Sequence, residues 1–354
     1  MTRSTVSIDG DQILVNGTPT HAGRSWKGCS IEGLLFNSRM ANAIADDDNP
    51  ATRGTWSYAD GPWDAARNTR EFCDALPEYA RHGLSGTCIN LQGGSPQGYS
   101  WQQPWHITGF SPDGALKSDW AARLAQVIEA SDAAGMVVVL GLFYGPASRH
   151  LASEAAVLRA VDQTVDWLAE RRATNVLIEV GNEVDHPVFS HPIIRAERCH
   201  ELIVRIQTSS QGRFDTPAGR LLVSASLLNS RSVAHNIVAA ADFLLPHGNH
   251  VNGPLSREQP SPDGIRYQLS LLRASAGYRG QPIFYNEDDH FDFEAADHHL
   301  AAAAENRAGW GYFDFRGIRE KFEDGFQSLP IDWHIRSNRK RSFFKALQDI
   351  TGAV

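Results

Sequence analysis

A single (β/α)8 barrel is the fold this sequence predicts, and three observations predict it. Brief β-rich runs alternate with amphipathic helical segments through most of the 354 residues. Several runs, MVVVLGLF at 136–143 above all, are apolar throughout, as suits parallel strands covered on both faces. No G-x-G-x-x-G or P-loop follows any run, which removes the signatures of a doubly wound nucleotide-binding sheet. With 42% apolar residues the chain can close one large core, and a barrel of about 250 residues plus insertions fits its length.

The elements follow in order within one domain spanning 1–354. Within residues 1–20, SIDGDQILVNGTPT alternates polar and apolar positions around Asp9-Gly10 and Asn16-Gly17, dipeptides that supply the positive φ of tight turns, so a short hairpin is expected. Candidate strands lie at 20–24 (THAGR), 86–91 (GTCINL), 136–143, 176–181 (VLIEVG), 221–226 (LLVSAS), 242–248 (DFLLPHG), 281–287 (QPIFYNE) and 310–315 (WGYFDF). Ser118 is the expected N-cap of a helix carrying Trp120, Leu124, Val127 and Ile128 on one face and stopped at Gly135. Ser153 caps another, with Val157, Leu158, Val161, Val165 and Leu168.

Two segments exceed a minimal barrel. One runs from the first candidate strand to a helix near Trp63 and contains the acidic turn ADDDNP at 45–50; the other covers 92–112. Both follow strand C-terminal ends, the face where barrels build active sites, so they should wall a pocket. Trp26, Trp56, Trp63, Trp101 and Trp105 sit in or beside them. Their indoles either staple the loops down or, as for the candidate contact Trp105, form stacking platforms for sugar rings. Asn90 and Gln92, leaving strand two, are placed to reach a substrate there.

Charge and composition exclude other classes. Thirty-three Lys and Arg against 41 Asp and Glu give −8, the wrong sign for a nucleic-acid partner. The longest strongly apolar stretch, 135–143, is too short for a bilayer span of about twenty residues, and MTRSTVSIDG has no signal-peptide core, so no membrane partner and a cytoplasmic address are expected. Cys29, Cys73, Cys88 and Cys199 form no C-x-x-C pair and read as reduced thiols.

The chemistry concentrates at two strand ends. Strand four closes as VLIEVGNEVDH, placing Asn182 and Glu183 just beyond its last apolar residue; strand seven closes as QPIFYNEDDH, placing Glu287 at the corresponding point. A carboxylate ending a buried strand is costly unless paired, hydrogen-bonded or used. Glu179, two alternations before Glu183, reads as a deeper structural anchor paired with an arginine.

This pattern resembles clan A of the retaining glycoside hydrolases, the group of cellulase-like and β-glycosidase-like barrels. The hairpin DGDQILVNGTPT is similar to the one that plugs or precedes such barrels, Arg24 falls where many members carry an arginine after strand one, and Trp310 where many carry a strand-eight aromatic. The resemblance implies a two-step displacement with no cofactor and no metal, acting on a carbohydrate: Glu183 as acid/base, Glu287 as nucleophile, Asn182 donating to the sugar 2-hydroxyl and Arg24 holding Glu287 ionised. It also implies an acid kept protonated by apolar or like-charge surroundings and a nucleophile kept ionised by hydrogen bonds. Short oligosaccharides or glycosides are the expected substrates. Two departures stand out: Val184 replaces the usual proline, and where strand six often presents His-x-Tyr this chain reads His247-Gly248-Asn249-His250, leaving Tyr312 or Tyr144 to take the tyrosine's place. His247 is expected to bind sugar hydroxyls.

A metal-dependent barrel hydrolase and a non-catalytic carbohydrate-binding barrel are the competing classes. His247, His250 and His290, with Asp288, Asp289 and Asp292, offer ligands, but the His-x-His ending strand one of amidohydrolase barrels is absent; only His21 stands there. The expectation is that Asp289 or Asp292 caps a helix and that His298 and His299 lie exposed. Arg336, Arg339, Lys340 and Arg341 read as a solvated helix start.

Overall fold

The computed structural model describes residues 3–97, 102–228, 233–251, 260–317 and 319–353. Eight parallel segments form its centre: Asn37–Arg39, Gly86–Asn90, Val137–Tyr144, Val176–Asn182, Leu222–Ser224 continued by Ser226–Leu227, Leu245–Pro246, the segment 283–288, and Gly311–Tyr312, strands one to eight in chain order. Strands five, four, three, two, one and eight are hydrogen-bonded in that order. The ring closes where Ser226 and Leu227 pair with Leu245 and Pro246, and through the parallel bridges Leu244–Ile283, His247–Glu287, Phe284–Gly309 and Asp288–Tyr312. The predicted (β/α)8 barrel is therefore the fold.

Layering inside the ring sets up the site. At the N-terminal end Val137, Val139, Leu177, Leu222, Phe243, Leu245 and Phe284 pack inward, and the strands Val6–Asp9 and Gln12–Val15 seal that end by inserting Val6 and Ile13. One layer up, the interior turns polar. Asn37 donates to the Tyr285 carbonyl at 2.8 Å and accepts from the Cys88 thiol, and Asn90 and Glu179 crowd over Gly141, where a Cβ would come within 2.5 Å of the Asn90 side-chain amide. Outside the ring, helices such as Ala65–Arg81, Ser118–Ala133 and Glu154–Glu170 bury their apolar faces against Ile89, Val138, Leu140, Ile178 and Val180.

Strand one differs from expectation. Residues 21–24 form a turn, and the strand is Asn-Ser-Arg at 37–39. Its residues carry no apolar run because Asn37 and Arg39 face the polar interior layer. The first long loop consequently starts later, after Arg39. Helix starts agree to within a residue: Ser153 accepts from the Ala156 amide as expected, whereas Lys117, not Ser118, occupies the other N-cap and makes no side-chain cap.

The acidic turn holds the long loops together. Asp47 is fully buried and accepts from the amides of Asn49 and His106, the Thr52 hydroxyl and the Trp56 indole at 2.9 Å, while Asp46 accepts from Trp63 at 3.0 Å. Trp105 packs edge-on to Trp56 at 5.8 Å. The buried indoles Trp56, Trp63 and Trp105 thus staple the loops, Trp26 lies partly buried under the Lys27 ammonium, and Trp101 is outside the described residues. Near the C-terminus the basic run is solvated only in part: Arg336 and Arg341 are exposed, whereas Lys340 is buried with its ammonium on the carbonyls of Asp332 and His334, and Arg339 pairs with Asp314 and Glu320.

Candidate active site

At the C-terminal mouth of the ring, Glu183 and Glu287 come together. His247 joins them, and oxygens of both carboxyls and one imidazole nitrogen all lie within 4.8 Å of one another. His247 Nδ1 is 2.9 Å from Glu183 Oε1 and 3.8 Å from Glu287 Oε2. Glu183 is brought inward by a break in strand alternation: its backbone is left-handed, with φ +56°, and its amide donates to Ser226 Oγ at 2.9 Å. A left-handed non-glycine residue is a strained arrangement that functional sites tolerate.

Arg39 is the cation of the site, and it is not the arginine expected from the sequence. Its Nε sits 2.7 Å from Glu287 Oε2, its Nη1 3.4 Å from Glu179, and its Nη2 donates to Asn182 Oδ1 at 2.5 Å. Arg24 instead lies exposed on the N-terminal extension against Gly352, because the segment read as strand one is a turn. The signal for Arg39 was present: an arginine between LLF and MANAI would be too costly to bury without carboxylate partners. Glu179 has the arginine partner expected of it.

The other expected residues divide. Asn182 borders the glutamates, but its oxygen faces Arg39. Asn90 is fully buried beneath them; with its amide turned to suit its neighbours, its oxygen accepts from Arg39 Nη2 at 3.2 Å, so it supports the guanidinium from below. Gln92 is spent on Thr108, Ala147 and the Tyr144 amide. Trp105 belongs to the loop staple. Trp310 is fully buried behind the ring, packing edge-on to Phe293 and tilted against Phe343 and donating to Asp288 Oδ2 at 2.8 Å, so its indole offers no face to the mouth. His247 meets the carboxyls through Nδ1, while its Nε2 has no hydrogen-bond partner among the described residues. Tyr312 is buried with its hydroxyl on Asp314, while Tyr144 does line the mouth. Asn249, which sequence reasoning passed over, donates to Glu287 Oε1 at 3.0 Å.

Behind strand seven, Asp288 is pinned. Its Oδ1 accepts from the His290 amide and Nδ1, its Oδ2 from His299 Nδ1 and Trp310 Nε1. Burial works against its charge, yet His299 and His290 hold it well below the usual carboxylate range. His298 and His299 are buried, correcting the expectation that they are exposed, and it is His298 that caps the helix His299–Glu305. Among the described residues, Asp288–His290–His299 and Glu183–His247–Glu287 are the two groups close enough to ligate a metal. In the first, both carboxylate oxygens are already committed to N–H donors, including an indole that cannot ligate, so the hydrogen-bonded reading fits the donor set better than a metal does. Strand six runs directly against this carboxylate: a Cβ on Gly248 would fall 2.0 Å from Asp288 Oδ2.

The carboxyls are electrostatically unequal, with the opposite sign to expectation. Burial pushes Glu287 up, with Glu183 and Glu179 adding to it against the pull of His247 and Arg39. Burial also opposes Glu183, but its hydrogen bond to His247 holds it below the ordinary value. His247, despite burial, is raised by Glu287 and Glu183. Both shifts favour a proton on His247 at its 2.9 Å contact with Glu183. Two spaces meet there: a recess of about 30 Å3 lined by both glutamates, Arg39, Gly94, Tyr144, Asn182, Phe313 and Gln327, and a cavity of about 540 Å3 reached by Glu183 but not Glu287.

Solved structures supply the comparison. A GH5-4 broad specificity endoglucanase from Bacteroides salanitronis superposes with a TM-score of 0.58 at 12% identity, over 90% of this chain and 93% of that one. The fold is that of the family 5 glycoside hydrolases. A family 5 mannosidase from Rhizomucor miehei gives a TM-score of 0.56 at 12% identity over 100% and 99% of the two chains, and a β-mannanase from the blue mussel Mytilus edulis gives 0.52 at 11% over 99% and 97%. No family model and no curated protein matches the sequence. The family 5 likeness is thus carried by the backbone, across the whole barrel, at identities of only 11–12%.

Proposed function

We propose that this protein is a retaining glycosidase acting through Glu287 and Glu183. The observation that carries this reading is the approach of the two carboxyls to within 4.8 Å across the barrel mouth. Retaining enzymes hold theirs about 5–5.5 Å apart, whereas inverting enzymes leave about 6.5–9.5 Å for a water. Glu287, fixed by Arg39, attacks the anomeric carbon; Glu183, at 20% exposure on the side of the larger cavity, protonates the departing oxygen. Substrate covering Glu183 strengthens the burial that raises it, which favours passing the stored proton from His247 to Glu183. Water then releases the sugar, with Glu183 returning as base.

The larger cavity stands on the leaving-group side, since it is lined by Glu183, His186, Tyr144, Val188 and Leu228 without Glu287. Its size suits short oligosaccharides or compact glycosides. Neighbours of this fold include an endoglucanase, a mannosidase and a β-mannanase, so aryl glucosides and mannosides head the screen. The deciding experiment follows the anomer first released, by proton NMR, with wild type and Glu183→Ala. Retention is expected, and Glu183→Ala should lose about 10^2- to 10^4-fold on poor leaving groups but far less in glycosylation with activated aryl groups, which need little protonation. Net inversion, or equal losses on both, would reject the assignment.

A pH profile gives a second check. Glu287 must be ionised, and it sits above the ordinary carboxylate value, so kcat/KM falls as pH drops through that raised value. The stored proton must be present, and His247 sits above the ordinary imidazole value, so the basic limb lies above pH 6.5. His247→Gln removes the store and should move the basic limb to lower pH; an unmoved limb would contradict the proton's placement.

A further inference from the structure

We propose that Asn249 is the positioning residue of Glu287, its amide supplying the second donor that orients and ionises this carboxylate where barrels of the resembled clan use a tyrosine hydroxyl. The inference rests on the glycosidase reading only in its kinetic arm.

Backbone pairing fixes Asn249 in place. His247 bridges Glu287, and the Gly248 amide donates to the Glu287 carbonyl at 2.8 Å, so the residues on either side of Gly248 are carried to the nucleophile's side chain. Asn249 Nδ2 then donates to Glu287 Oε1 at 3.0 Å while Arg39 Nε takes Oε2 at 2.7 Å, splitting the carboxylate between a neutral and a charged donor. One amide orientation is allowed, because the reverse would set Oδ1 against Glu287 Oε1.

That orientation has a cost. Asn249 is 5% exposed and its Oδ1 has no hydrogen-bond partner among the described residues. A residue kept only to fill space would be cheaper as a leucine of similar volume, since a buried unmatched acceptor is destabilising. The amide is retained for what its nitrogen does. Unlike a tyrosine hydroxyl, it neither gains nor loses a proton at any working pH. Among the described residues, the groups that act on the ionisation of Glu287 beside this fixed donor include Arg39 from strand one, the Cys88 thiol from strand two, Tyr144 from strand three, Glu179 and Glu183 from strand four and His247 from strand six.

The test titrates the Glu287 side-chain carbon directly, in 13C-glutamate-labelled protein with Glu287→Gln as the assignment control. Asn249→Ala and Asn249→Leu should raise its midpoint by about one to two pH units, the equivalent of one hydrogen bond to a charged group. Asn249→Asp, which sets a like charge at the same distance, should raise it further. In parallel, kcat/KM on the acid side of the wild-type midpoint should fall about 10- to 100-fold in Asn249→Leu and recover at higher pH, a recovery that simple loss of packing would not show. Asn249→Leu keeps the volume and removes the orphaned oxygen, so it serves if the alanine variant fails to fold. A midpoint within 0.3 units of wild type in folded Asn249→Leu would overturn the proposal. Because the carbon titration needs no substrate, it decides the role of Asn249 even if every glycoside tried proves inert, which would reject the glycosidase reading alone.

Discussion

Glu287→Gln should reduce turnover by at least about 10^4-fold while leaving the folded protein intact. The attacking oxygen disappears, and among the described residues no other carboxylate reaches the same face: Glu179 lies deeper beneath Arg39, and Glu183 stands on the leaving-group side. Stability should change little, for reasons visible in the contacts. Burial already disfavours the charge on Glu287, so a neutral side chain of the same shape relieves that penalty. Arg39 keeps Glu179 and Asn182 as partners. Asn249 can rotate its amide so that its unmatched oxygen receives the new glutamine N–H. Steady-state rates on an activated aryl glycoside, with a melting curve alongside, check both halves. Turnover within tenfold of wild type would remove Glu287 from the reaction.

Arg39→Met should be costly in both stability and activity. The guanidinium is 2% exposed and serves Glu287, Glu179 and Asn182 at once. Removing it strands two buried carboxylates, and breaking a buried pair from one side costs about 3–5 kcal/mol, or about 4–7 °C in melting temperature for a chain of this size. Glu287 also loses one of the two cations that hold it down, keeping only His247, and is driven further up, so kcat/KM on the acid side should fall at least about 100-fold. Lysine should rescue poorly, because an ammonium cannot face three acceptors in one plane. Arg39→Met combined with Glu179→Met separates the effects: melting temperature should recover in part as one stranded charge is removed, while activity should not. Recovery of activity in the double variant would show that Arg39 serves the fold alone.

The parts of the barrel legible in the sequence are those whose strands are covered on both faces by apolar neighbours. Strands two, three and four announce themselves as GTCINL, MVVVLGLF and VLIEVG because their outward residues meet helices and their lower inward residues meet the plug. Strand one does not, since Asn37 and Arg39 point into the polar layer and no hydrophobic period marks them. Glu183 and Glu287 were legible because a charge closing an apolar run is conspicuous. The direction of a side chain was not: Trp310 and Trp105 differ from expectation because their indoles answer to Asp288 and to the Asp47 cluster, partners remote in sequence. Asn249 escaped notice for the same reason, its role existing only once Glu287 is beside it.

The close contact between Gly248 and Asp288 has an evolutionary reading. Asp288 is held from three sides, so it cannot retreat from a methyl group placed 2.0 Å away. A descendant of this chain that keeps the aspartate is therefore confined to glycine between its histidine and asparagine, and one that gives up the aspartate frees that position. The two sites should drift through a lineage as a covarying pair, and a His-Gly-Asn ahead of Glu-Asp would mark distant kin whose overall identity is too low to align.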